Sequence, residues 1–328
     1  MYRGEFDVAQ RLDEDLLRLS RERGDTSGLV LGHASAGRTL MYLGRFAEAR
    51  SHLEEVLALY DPIAHGSLDQ QSGSHPRISA MGQLGIALFC LGCPDQATAR
   101  SNEGIAEARR LAHAPSLAAS LAMDARLLSL LGDNAALEER ADQLIGVAAE
   151  QGFPLYRALA IIYRGWSKVM GGDVREGVSL LRNGSSEYSA TGAESRIAFH
   201  IGLLAGACEI ADQVDEALML WDKALQISER IGERWFAAEL YRHKGQLMLR
   251  QGHFETAEEL CRQALTIAKE QEAKLWELRA AVVLARLGRD RGRRSEAYDL
   301  LAPVYGWFTE GFETPDLRDA RAMLDELA

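Results

Sequence analysis

Gly245-Gln-Leu-Met-Leu-Arg-Gln-Gly252-His-Phe-Glu-Thr-Ala257 decides the fold. A small residue precedes the turn glycine by seven positions, and another small residue follows it by five. Small side chains on both sides of a tight turn let two helices approach closely without overpacking. A glycine at the turn ends the first helix by taking a left-handed backbone. The same turn recurs at positions 4, 44, 92, 132, 172, 212, 252 and 292, with Asp212 in place of glycine once. Of the seven intervals, six are 40 residues and one, Gly44 to Gly92, is 48. A fixed period over the whole chain is the signature of a helical solenoid.

The flanking positions repeat as faithfully as the turns. Seven residues before each stand Gly37, Gly85, Ala125, Gly165, Ala205, Gly245 and Ala285. Five residues after each stand Ala9, Ala49, Ala97, Gly177, Ala217, Ala257 and Ala297, with Leu137 the one departure. This spacing resembles the tetratricopeptide repeat, whose usual length is about 34 residues. The resemblance implies an all-α, right-handed superhelix of about seven helix hairpins. Each hairpin is about six residues longer than usual, roughly a turn per helix.

One solenoid is expected over residues 1–328: a half repeat at 1–26, seven helix pairs over 27–311, and a capping helix at 312–328. Thr314-Pro315-Asp316 reads as the start of that cap, and Leu317, Ala320, Met323, Leu324 and Leu327 as its apolar face. The longer interval holds a loop insertion at 61–76, polar and rich in Gly and Pro, read as mobile. Residues 1–9 match a turn and a second helix without its first helix. That arrangement exposes Phe6, Leu12, Leu16 and Leu19, and the expectation is a C-terminal fragment of a longer protein.

The segment from Trp276 to Leu317, with Leu300-Leu-Ala-Pro-Val-Tyr-Gly-Trp307-Phe-Thr-Glu-Gly-Phe312 at its heart, resembles the C-terminal end of large bacterial regulators. In those, a nucleotidyl cyclase or a DNA-binding domain precedes an AAA-like or STAND-type ATPase, and tetratricopeptide repeats follow. The resemblance implies a sensor or scaffold arm that regulates upstream domains. No cyclase or ATPase residue of that family falls within this chain.

Composition narrows the function. The net charge of −11 lacks the basic footprint of a general nucleic-acid binder and suits a cytoplasmic protein. No run of eighteen consecutive apolar residues is present, so no membrane partner is expected. Walker, dinucleotide, zinc-protease and serine-elbow motifs are missing. Cys90-Leu-Gly-Cys93 lacks the second pair that a structural zinc site wants, although Cys93 stands at a helix start, where the dipole lowers a thiol pKa. Glu54-Glu55, Glu138-Glu139 and Glu258-Glu259 read as solvated helix faces. The expectation is a non-enzymatic module with no cofactor and no metal.

In tetratricopeptide arrays the first helix of each pair lines the concave groove. Counting back from the turns places Arg38, Tyr42, Phe89, Arg126, Trp166, Arg242, Gln246, Arg250, Arg286 and Arg289 in it, with Arg279 one turn further back. Arginine grips carboxylates with two parallel hydrogen bonds and stacks on aromatics. The expected partner is therefore an acidic protein or peptide segment, from another protein or from upstream domains of the same one. The competing reading pairs these arginines with Glu and Asp of neighbouring repeats. A small-molecule or signal-peptide receptor is the alternative function, and it requires an enclosed pocket of roughly 300–1,000 Å³.

Overall fold

A computed structural model describes residues 6–68 and 73–328. The turn expected at Gly4 and residues 69–72 of the insertion lie outside the described residues. Among the described residues there are sixteen α-helices and no strand. A lone α1 (Phe6–Arg23) precedes α2 (Thr26–Tyr42) and α3 (Phe46–Leu59). The insertion then leads to α4 (Pro76–Cys90) with α5 (Pro94–Arg110), and α6 (Ala114–Leu131) with α7 (Asn134–Gln151). Next come α8 (Pro154–Met170) with α9 (Val174–Ala190), and α10 (Ile197–Ile210) with α11 (Val214–Ile231). Then follow α12 (Ala237–Arg250) with α13 (Phe254–Glu270), α14 (Lys274–Asp290) with α15 (Arg294–Tyr305), and the closing α16 (Pro315–Leu327).

The turns work as the spacing implied. Asp212 adopts φ +59°, the left-handed backbone that glycine takes at the neighbouring turns; aspartate tolerates that region better than most residues. The small residues mark backbone contact. A Cβ on Gly177 would stand 2.6 Å from the Gly165 carbonyl oxygen, and one on Gly245 would stand 2.7 Å from Cys261 Sγ. Helix α6 is long and apolar enough to cross a membrane by length and composition, yet most of it is buried among its neighbours.

The chain coils far enough for its C-terminal half to settle on the turns of its N-terminal half. The Tyr42 carbonyl, at the end of α2, accepts the N–H groups of Arg234 and Trp235 at 2.8 and 3.1 Å. At the next turn, a Cβ on Gly92 would meet Trp307, Lys274 and Phe308 within 3.0 Å. At the third, the Leu130 carbonyl accepts a hydrogen bond from Arg279 at 2.6 Å. Glu310 caps α5 across 215 residues: its carboxylate accepts the N–H groups of Asp95 and Gln96 at 3.0 and 3.1 Å. Asp95 returns the contact by accepting the Gly311 N–H at 3.1 Å. A carboxylate at a helix start is favoured by the unpaired N–H groups and the helix dipole.

Between the two turns runs an aromatic column. Trp276 lies edge-on to Phe89, with centroids 5.5 Å apart, and edge-on to Phe236 at 5.9 Å. Its indole N–H donates to the Trp235 carbonyl at 3.2 Å. Such ring pairs contribute about 0.5–1.5 kcal/mol each beyond their buried area. Phe6 belongs to the core at 2% exposure, packed against Tyr42, whereas Leu12, Leu16 and Leu19 are exposed as expected. Of the described flanks of the insertion, residues 61–64 and 66–67 are exposed, while three side chains anchor it. His65 and His75 are buried; His65 pairs with Thr26 and His75 with Tyr60.

Candidate functional site

The inner faces of α2, α4, α6 and α8 and the 191–196 junction enclose a cavity of about 380 Å³. Three arginines, Arg38, Arg126 and Arg196, line it together with Tyr42, Gln83 and Tyr156. Among the described residues no carboxylate lines it, although the chain carries 48 acidic residues.

Arg126 is 2% exposed. Its guanidinium lies 5.5 Å over the Trp235 ring, beside the phenols of Tyr42 and Tyr163. Its Nε lacks a hydrogen-bond partner, and among the described residues no carboxylate pairs with it. Arg196 stands before α10 at φ +68°, a left-handed backbone that costs a non-glycine residue about 1–3 kcal/mol. Its neighbours over-determine that conformation. The Arg196 N–H donates to Glu233 at 2.7 Å, and its guanidinium donates to the hydroxyls of Tyr42 at 3.2 Å and Tyr188 at 3.1 Å. Glu233 also accepts the Trp235 indole N–H at 2.6 Å.

The electrostatics follow from burial. Burial pushes the Glu233 carboxyl above its ordinary range, against the Arg196 N–H and the Trp235 indole. Burial would raise the Tyr42 phenol too, but Arg196 and Arg126 outweigh it and hold the phenol below its usual value. His200, packed between Tyr163 and Tyr188, is held well below the imidazole range by burial and then by Arg196 and Arg126. Two buried guanidinium ions thus face one carboxylate among the described residues of the cluster.

The stripe of expected groove residues divides in two. Arg38, Tyr42 and Arg126 line the cavity. Most of the others are taken up by the chain itself. Phe89 is fully buried under Trp276, and Trp166 lies half-buried against Gly206. Arg279 grips Asp316 through two bonds of 2.8 Å and Glu239 through a third. Arg242 donates to both Glu239 oxygens at 2.6 and 2.9 Å and to Gln246 at 2.6 Å. Arg286 pairs with Asp319, Arg289 with Glu326 and Asp290, and Arg250 with Glu209. A continuous open groove is therefore corrected to one cavity and one internal ion network. The physical reason is pairing with Glu and Asp of the same or the neighbouring repeat and with the acids of α16, which packs directly against α14 and α15.

Counting back from turns could not reach Arg196 or Glu233, because both sit in junctions ahead of their helices. A signal was present. The helices after those junctions, α10 and α12, have 14 residues each, whereas α8 has 17. The two long junctions lie 40 residues apart, and each carries part of the cluster. The thiols changed direction from the expectation for Cys93: burial, then Glu310, raises its pKa, and burial raises that of Cys90.

Tetratricopeptide-repeat models match residues 196–270 and residues 35–60. The uncharacterized protein R02095 of Rhizobium meliloti (strain 1021) is 26% identical over 253 residues, 76% of this chain. The match covers 25% of that protein, so the chain spans about a quarter of its length. A Rap protein complexed with competence and sporulation factor superposes with a TM-score of 0.64 at 12% identity, over 99% of this chain and 93% of that one. The apo form of RapI gives 0.54 at 11% identity over 88% and 98%, and the apo quorum sensor NprR from B. thuringiensis gives 0.54 at 17% identity over 90% and 81%. These likenesses concern the fold. Two segments of the chain match tetratricopeptide-repeat models, and the fold is similar to that of these helical-repeat solenoids.

Proposed function

We propose that this solenoid, read as a right-handed array of seven hairpins, is a non-catalytic receptor that holds a short acidic peptide or small anionic molecule in its first-turn cavity. It serves as a sensory scaffold arm of a larger cytoplasmic regulator. The observation that carries this reading is the division of the inner face. The second turn is occupied by the chain's own ion pairs, and what stays open is an enclosed volume of about 380 Å³. Pockets of roughly 300–1,000 Å³ suit ligands of a few residues or fewer, not a long protein segment lying in a groove. The much greater length of the Rhizobium relative supports a place within a larger protein. The Rap complex and the quorum sensor NprR support ligand sensing on this fold.

Ala119 lines the cavity and is half-buried, so Ala119→Trp fills the volume without overpacking the core. Native mass spectrometry of the protein, after exposure to lysate of its source cells and gentle desalting, reads the outcome. A small mass retained by the parent and missing from Ala119→Trp is expected. A parent that retains nothing, or a variant that retains the same mass, overturns the reading.

A further inference from the structure

We infer that Gln83 reads the backbone of a peptide held in this cavity, its side-chain oxygen accepting a main-chain N–H of the ligand. The inference rests on the receptor reading and chooses the peptide over a bare anion.

The sequence sets Gln83 apart. It is the one polar side chain between Ala80 and Cys90, in an otherwise apolar run of α4. The fold buries that run, and Gln83 is 3% exposed. Its side chain lines the cavity, and its Oε1 has no hydrogen-bond partner. A buried carboxamide oxygen left unpaired carries the full desolvation penalty of that group, which an apolar side chain of the same size avoids. A structural role asks for a partner inside the chain. Buried polar side chains on nearby helices have one: Thr39 donates to Asp13 at 2.7 Å, and Ser101 to Asp124 at 2.6 Å.

Arg126 adds the complementary group. It lines the same cavity from α6, and its Nε also lacks a partner. One of these two buried groups accepts and the other donates. A peptide main chain offers an N–H and a carbonyl oxygen at nearly every residue, so it answers both. A carboxylate offers acceptors alone and leaves Gln83 unsatisfied. The rest of the wall suits the side chains of such a ligand: Ala119, Ala122, Met123, Leu155 and Leu159 are apolar. A volume of about 380 Å³ admits a segment of a few residues.

Affinity-selection mass spectrometry on the full chain tests the inference with two pools: acetylated tripeptide amides, and the same tripeptides N-methylated at every main-chain nitrogen. Methylation removes the donor and keeps the carbonyl. The parent is expected to retain members of the first pool and to bind their methylated counterparts at least about tenfold more weakly, the worth of one enclosed hydrogen bond. Gln83→Leu is expected to erase that preference, which a purely steric effect of the methyl groups would leave in place. Its ligand-free melting temperature is expected to equal or exceed the parent's. No retention from the first pool, equal affinity for both pools in the parent, or an undiminished preference in Gln83→Leu overturns the inference. A Gln83→Leu protein that melts below the parent marks a structural role and overturns it too. If Ala119→Trp ejects a mass that the parent retains from lysate, and that mass is not a peptide, the receptor reading stands and the role of Gln83 falls.

Discussion

Two arginines, Arg126 buried and Arg279 largely so, have opposite company. Arg126 on α6 and Arg279 on α14 each stack on an indole, Arg126 at 5.5 Å from Trp235 and Arg279 at 5.1 Å from Trp276. Arg279 then meets Glu239, Asp316 and the Leu130 carbonyl. Arg126 meets tyrosines. Burial alone would push the Glu239 carboxyl up, yet Arg242 and Arg279 hold it well below the usual carboxylate range. In the second turn, charge is matched inside the chain and serves to join α12, α14 and α16. In the first turn, no ion pair joins Arg126 to a carboxylate among the described residues. A buried guanidinium is therefore not itself a sign of binding.

The strongest way to break this contrast is at Arg279. Arg279→Ala leaves Glu239 short of one partner and Asp316 without its bidentate one, and removing one member of a buried pair costs about 3–5 kcal/mol. Urea unfolding monitored by circular dichroism is expected to show a loss of that size. A loss below about 1 kcal/mol would make the network ornamental.

Acid comes next. His200 has its folded-state pKa depressed, so the native state refuses a proton that the unfolded state accepts below its ordinary value of 6.5. Stability is then full above pH 6.5 and falls as pH falls, by up to about 1.4 kcal/mol per pH unit for each such proton. His243, pushed down to about 3 by burial and then by Arg242, acts in the same direction, discounted because its side chain is 33% exposed. Unfolding free energies measured from pH 7.5 to 5 are expected to decline, and His200→Phe should flatten the slope. An unchanged slope in that variant removes His200 from the explanation.

Overpacking is a smaller effect. Gly245→Leu meets Cys261 and the Ala257 carbonyl and is expected to cost about 1–3 kcal/mol in the same unfolding assay. No change would show that the hairpin yields at a contact this close. The smallest expected effect is at the clasp. Glu310→Ala removes an exposed cap on α5, with a cost of about 0.5–1 kcal/mol, and should speed hydrogen exchange at the Asp95 and Gln96 amides. Unaltered exchange there would mean that the two turns meet elsewhere.

The hairpins were legible because each depends on its neighbours in sequence. Gly165 and Gly177 pack backbone to backbone within one helix pair, and their spacing around Gly172 announces it. The cavity was legible only in part. Arg38, Tyr42 and Arg126 follow from the register of inner-face helices, but Arg279 follows the same logic and is spent on Asp316 and Glu239. What separates them is the acids within reach, Glu239 and Asp316 about one repeat to either side of Arg279; the surroundings of Arg126 depend on residues more than 180 positions apart, such as Tyr42 beneath Trp235. That contact is set by small angles accumulated over successive repeats, which no local motif encodes. Arg196 and Glu233 escaped for the opposite reason: they lie in irregular junctions, where the repeat pattern lapses.

The contrast between the turns is tested most directly by unfolding the ligand-free parent beside Arg126→Met and Arg279→Met. A neutral side chain of similar length relieves a buried charge at Arg126, whereas at Arg279 it strands Asp316 and leaves Glu239 with Arg242 alone. Arg126→Met is expected to be as stable as the parent or more so, while Arg279→Met loses at least about 3 kcal/mol. Comparable losses in both variants would mean that Arg126 is as structural as Arg279, and the first-turn cavity would lose its claim to a ligand.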